Sequence, residues 1–404
     1  MWHCPCTKFN QPKHMNTQNP DRFLTPVLKN DQWGFIDLNG TLVIPFGYDY
    51  AYGFSDGLAE VMINKKWGFI DKSGTQIVPC IYDKVVSFIE DMASVMTDGK
   101  YGIVDKNGTL VVPCIYDYAT WYSEGMAAVM KDGKWGFIDK NGMLVVPCIY
   151  NEAELYREGM AAVKKDDKWG FIDKNGTLVI PCMYDYTSLY IEGMAPVMKD
   201  NKWGFINKNG TLVIPCIYDN VGYYSEGLAC VETDGKLGFI DMNGTLVVPC
   251  IYDSVEYYQE GLAIVTTEEK YGFIDKTGRL VVPCIYEYAE GFSDGLAMVY
   301  VDGKKGFIDK TGKLVVPCIY KTIFGFEDGL AKFVKVDKVG FIDKNGTEVV
   351  PCIYDDAVLY PQEGLIRVEK DGKFGFIDKN GKQILPIIYD YKDLYDEDFP
   401  LDYM

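Results

Sequence analysis

Histidine is almost missing from this chain: His3 and His14 are the only two in 404 residues. The body of the sequence therefore has no imidazole for a histidine-based triad. Positive charge is short as well, with 40 Lys and Arg against 58 Asp and Glu and a formal net charge of −18. Such a surface repels phosphate backbones and anionic headgroups, so we expect neither nucleic acid nor membrane among its partners. No run approaches the roughly 18 apolar residues of a spanning helix, and Met1 to Pro20 lacks the apolar stretch of a secretory signal. A soluble, cytoplasmic chain is the expectation. Cysteine is plentiful, at twelve, but paired Cys-x-x-Cys spacing of the zinc-site kind is lacking.

What is present is repetition. A glycine, most often after an aromatic, recurs at Gly34, Gly68, Gly102, Gly136, Gly170, Gly204, Gly238, Gly272, Gly306 and Gly340, and then at Gly375 after one extra residue near Pro361-Gln362. The period of 34 residues implies an array in which length counts repeats rather than domains. In the clearest copy, Trp135 to Asp139 reads as a short strand A. Asp139-Lys140-Asn141-Gly142 carries turn chemistry, and Leu144 to Tyr150 forms strand B. A connector spans Asn151 to Gly159, and Met160 to Lys164 is strand C. Each unit is a three-stranded meander, and the many aromatic and β-branched residues suit a pleated, half-buried surface.

Strand B is apolar at nearly every position, so we expect cover on both of its faces and cooperative stacking of neighbouring units. Its recurring proline, from Pro45 to Pro386, belongs at a bend or an edge. Leu24 to Lys29 matches strand C of later copies, which starts the array near residue 24. The division expected is a flexible leader over 1–20, eleven repeats over 21–398 and a degenerate end over 399–404. For the fold we favour an all-β open array of three-stranded meanders, a β-solenoid or superhelix, because the unit is short for a four-stranded blade and eleven exceeds the usual blade number. A closed propeller-like ring is the alternative, since an array that starts on strand C and ends on A and B could be closed by its two ends.

The pattern Lys134-Trp135-Gly136-Phe137-Ile138-Asp139, followed by Asn141-Gly142, a Pro and Tyr stretch and Glu158-Gly159, resembles the WG, or KWG, repeat family of bacterial proteins. The likeness covers residues 24 to 398. Tyr101, Leu237, Tyr271, Lys305, Val339 and Phe374 stand where the family has Trp, which weighs against chemistry carried by the indole itself. The resemblance implies a β-repeat module and brings no catalytic residues.

Candidate chemistry is thin. Cys80, Cys114, Cys148, Cys182, Cys216, Cys250, Cys284, Cys318 and Cys352 follow proline in nine copies, and Phe46 and Ile387 take the same slot elsewhere, which marks it as core and the thiols as reduced and buried. His3, Cys4, Cys6 and His14 fit no standard metal spacing. The Asp-Lys-Asn-Gly turns lack the further carboxylates of a calcium loop. Glu124, Glu158, Glu192, Glu226 and Glu260 recur before glycine in successive copies, as a local cap would and an active site would not. No cofactor and no metal is expected, and no catalysis.

The connector is where copies differ. Its aromatic (Phe54, Phe88, Tyr122, Tyr156, Tyr190, Tyr224 and onward) is constant and reads as a packing anchor, while its neighbours change. Variation on a fixed frame is how repeat arrays build binding faces. Trp121, Tyr118, Tyr186, Tyr223, Tyr257 and Tyr288 are the candidate anchors of a scaffold for an unidentified protein partner; glycan or cell-envelope binding is the other reading.

Overall fold

The computed structural model describes residues 23–361 and 364–390. The leader, with His3, Cys4, Cys6 and His14, and the end at 399–404 lie outside the described residues. Within them the chain forms eleven antiparallel sheets, here blades 1 to 11, the first of three strands and the rest of four. Blade 4 shows the plan. A two-residue short strand (Tyr118–Ala119) pairs with strand C (Met126–Lys131), then strand A (Lys134–Asp139), then strand B (Leu144–Tyr150) at the far edge. The short strand is the part of the plan that the three-stranded expectation omitted: two residues show no alternation.

Turn chemistry sets the register. Glu124-Gly125 and Asp132-Gly133 place both central residues at positive φ, 53° and 82° in the first and 53° and 71° in the second. These are two-residue primed turns, whose twist suits strands C and A. Between A and B, Asp139 Oδ1 accepts from the Asn141 and Met143 amides at 2.9 and 2.8 Å, and Gly142 takes φ 78°.

Strand B does not run flush against A. Trp135 faces Tyr150 while Phe137 faces Val146, so four steps on B answer two on A. The extra residues, Pro147 and Cys148 among them, bulge over Gly136, where a Cβ would come within 2.8 Å of the Cys148 nitrogen and the Pro147 carbonyl carbon. This overlap, and not a left-handed backbone, is why glycine recurs there.

The cores lie between blades. One cluster joins Met160, Trp169, Phe171, Ile180 and Tyr184 of blade 5 to Tyr190, Val197, Ile206 and Cys216 of blade 6. The same positions meet again at the chain's two ends: Leu365, Phe374, Phe376, Leu385 and Tyr389 of blade 11 pack on Val27, Ile36 and Phe46 of blade 1. Last blade thus receives first as each blade receives its successor, and the fold is a closed eleven-bladed propeller. Of the two arrangements drawn from the sequence, the ring is the one adopted. Phe23 completes it. Inside the ring Phe171 and Tyr190 meet edge to face at 4.8 Å; at the closure Phe376 meets Phe23 at 5.3 Å.

Covering strand B on both faces was the wrong expectation. As an edge strand it buries Val112 and Tyr116 but exposes Leu110 and Ile115 by 45% and 46%. The proline sits at this edge, where a missing donor costs no ladder bond.

Candidate functional site

One end of the ring is a chain of carboxylates. Glu124 Oε1 and Oε2 accept from the Glu158 and Gly159 amides of the next blade, at 2.6 and 2.8 Å, and Lys174 of that blade lies 3.2 Å from Oε2. Burial opposes ionisation of Glu124, yet the bonds from Gly159, Lys174 and Glu158 hold its carboxyl below the ordinary range. The pattern repeats with Glu90 and Lys140, Glu158 and Lys208, Glu226 and Lys276, and Glu260 and Lys310. Asp56, Asp294 and Asp328 serve with Lys106, Lys344 and Lys379. These acids were read from the sequence as local caps. They cap the following blade's turn instead, and the signal that would have shown it is the lysine 50 residues downstream in copy after copy. Glu192 keeps its two amide bonds, both 2.8 Å, but Met242 stands where the lysine would be.

The groove between blades 3 and 4, lined by Glu90, Asp105, Lys106, Asn107, Lys140 and Asn141 among others, belongs to this network. Its lysines are paired to Asp56, Asp91 and Glu90, which leaves no spare cation to activate a substrate.

The cysteines are free and half-buried rather than fully buried. Those that follow proline pack at junctions between blades, as Cys216 does, with Sγ near a strand C carbonyl, 3.7 Å for Cys216 and Val197. Burial pushes the Cys80 thiol up to about 11 and that of Cys230, on strand C, to about 12. Thiolate chemistry is suppressed. No group of three or more metal-binding side chains occurs among the described residues.

The short-strand edge carries the variable positions. The constant connector aromatic beside them is core: Tyr156 is buried, meets Phe137 at 4.9 Å and donates to the Asp173 carbonyl at 2.8 Å. The six candidate anchors divide. Trp121, exposed by 43%, has no ring contact among the described residues. Tyr118 lies between Tyr101 and Trp135, 5.3 and 5.8 Å away, and Tyr186 between Trp169 and Trp203, 6.1 and 5.7 Å. Tyr288 lies between Tyr271 and Tyr300, both 5.1 Å. These three are exposed on one side and bridge strands on the other, so their rings serve the fold as well as the surface. Tyr223 and Tyr257 are half-buried; the Tyr223 hydroxyl bonds Ser188 of the preceding blade.

Comparison with known families decides the lineage. A family model described as WG containing repeat matches eleven times, at 33–67, 67–101, 101–135, 135–169, 169–203, 203–236, 238–271, 271–304, 306–338, 340–374 and 374–399. The chain belongs to the WG-repeat proteins. A search of curated protein sequences finds no significant match. Among solved structures this WG-repeat chain is similar to a eukaryotic initiation factor, with 11% identity over 83% of this chain and 96% of the other at a TM-score of 0.43. It is also similar to Hsv2p of Kluyveromyces lactis, with 9% identity over 55% and 92% at 0.31. AztD of Citrobacter koseri gives 11% identity over 72% and 90% at 0.31. At such scores the likenesses carry no argument about this WG-repeat ring.

Proposed function

We propose that this WG-repeat propeller is a non-catalytic scaffold that binds a protein partner along its short-strand edge. The observation that carries the reading is that variation and aromatic exposure coincide there: Tyr118, Trp121, Tyr186 and Tyr288 expose between 40% and 48% of their surface, at positions that differ from blade to blade. Tyr and Trp supply large contact area at low entropic cost. The chain's net charge of −18 adds steering toward a basic partner. Capture from a glycan-free lysate by the full chain, repeated with Trp121→Ala/Tyr223→Ala, tests this. A partner retained by the native protein and lost by the variant supports the proposal; equal retention sinks it.

Glycan binding has one observation in its favour. Tyr52 stacks on Trp67 at 5.7 Å and 21°, an aromatic platform of the sort on which sugar rings lie, with Glu60 and Ser87 hydrogen-bonded to each other nearby. Co-sedimentation with cell-wall polysaccharide, lost in Tyr52→Ala, is the outcome this reading requires.

A further inference from the structure

Twice on the short-strand edge the protein fills a niche of acid and aromatic ring with its own lysine. Lys164 Nζ lies 2.7 Å from Glu152 Oε1 and 5.8 Å from the centre of the Trp169 ring. Lys332 Nζ lies over Phe324 at 5.1 Å while donating to the Ala357 carbonyl at 3.1 Å, with Asp356 at 3.7 Å. An ammonium held between a carboxylate and a π-face gains from both.

At the junction of blades 8 and 9 rings and acids stand together again, but here the protein's own lysine, Lys305, reaches one ring and forms no described ion pair with either acid. Tyr271, Tyr288 and Tyr300 form a run of rings with both spacings 5.1 Å. Glu256 and Glu290, one from each blade, leave their short strands beside it and both act on the Tyr288 hydroxyl. Neither carboxylate has a lysine or arginine partner among the described ion pairs. Lys305 lies over Tyr300 at 5.0 Å and donates to the Ile323 carbonyl at 3.4 Å.

We propose that Glu256 and Glu290, with the Tyr271–Tyr288–Tyr300 rings, form a pocket for a lysine side chain presented by the protein partner. This rests on the protein-binding reading of the edge and deepens it: one contact of that interface is an ammonium ion, placed by two carboxylates and a ring face.

The probe is a fluorescein-labelled peptide of glycine and serine carrying two lysines, titrated by anisotropy into the full chain at low salt, with a norleucine counterpart as control. The lysine peptide should bind and the norleucine peptide should not. Glu256→Gln/Glu290→Gln should weaken binding about fivefold or more, and Tyr288→Leu about threefold, as expected for loss of a paired charge and of a ring. Asp31→Asn/Asp98→Asn alters net charge equally at exposed turns of blades 1 and 3 and should change binding less than about twofold. Equal loss in both double variants, or binding of the norleucine peptide, overturns the proposal, and an unchanged thermal midpoint certifies each variant's fold. A captured partner that releases Trp121→Ala but holds Glu256→Gln/Glu290→Gln as tightly as native overturns the lysine pocket alone. Peptide selectivity with no captured partner overturns the scaffold alone.

Discussion

The two edges of every blade are built on opposite rules. Strand B reads Leu-Val-Val-Pro-Cys-Ile-Tyr with little change from Leu110 to Tyr320, because its bulge must ride on a glycine and its thiol must fill the junction with the preceding blade. On the short strand, Tyr118, Glu152, Tyr186, Asn220, Ser254 and Tyr288 occupy one position in turn. In most blades that strand contributes two residues of ladder, and although it runs to six from Asn220, its place at the edge leaves its side chains free to differ. Where backbone packs on backbone the repeat is fixed; where only side chains meet solvent it varies, and that edge is where specificity can be stored.

The sharpest break in this contrast is glycine on either side. Gly272→Ala places a Cβ 2.6 Å from the Val282 carbonyl oxygen and 2.8 Å from Cys284 Sγ, so strand B must lift; a loss of about 3 kcal/mol in denaturant unfolding is expected. Gly222→Ala, on the variable edge, meets only Tyr257 and Cys230 side chains, at 3.1 and 3.4 Å, and should cost less than about 1 kcal/mol. Comparable losses at both sites would erase the distinction.

Acid tests the links between strand B and the next short strand. Asp83, Asp117, Asp185, Asp219, Asp253 and Asp355 are held below the usual carboxylate range, first by hydrogen bonds from Lys66, Lys100, Lys168, Lys202, Lys236 and Lys338. A depressed folded-state pKa gives stability present above the unfolded value of 3.8 and lost as pH falls through the folded one. The thermal midpoint should therefore hold steady down to about pH 5 and drop below about pH 4. A midpoint flat to pH 2 would deny these links any share in stability.

On the variable edge, Tyr186→Ala removes a ring between two tryptophans and should cost about 1 to 2 kcal/mol, while Trp121→Ala should stay within about 0.5 kcal/mol. A large stability loss for Trp121 would return it to the core. Smallest of all, Met242→Lys supplies the ammonium that Glu192 lacks, a pair worth about 0.2 to 1 kcal/mol, and gives up the packing of Met242 on the core between blades 6 and 7; stability should stay within about 0.5 kcal/mol, and a larger loss would show that the packing outweighs the pair.

Strands A, B and C, their turns and the anchoring aromatic were legible because glycine and the apolar runs recur in phase eleven times. Ring closure was legible only as the alternative that a start on strand C and an end on A and B allows; choosing it depends on Phe23 meeting Phe376 and on Phe46 joining Phe374 in one core across the whole chain, contacts no local pattern announces. The exposure of Leu110 and Ile115 escaped for a related reason: an apolar run usually signals cover, but on an edge strand one face has no neighbour to receive it. Of the candidate anchors, exposure was legible at Trp121, whereas the bridging of Tyr118, Tyr186 and Tyr288 depends on which strand A ring lies beside them. Glu256 and Glu290 were visible only as variable acids, since their company of rings comes from strands A and C of two blades.

The carboxylate clasp also has a direction. Each acid precedes, by 34 residues or so, the turn it receives, so a chain made from its N-terminus always has the receptor in place before the hairpin that fits it. Blades can then settle one behind another in the order of synthesis, and only the meeting of blade 11 with blade 1 must wait for the last residue of strand B to appear.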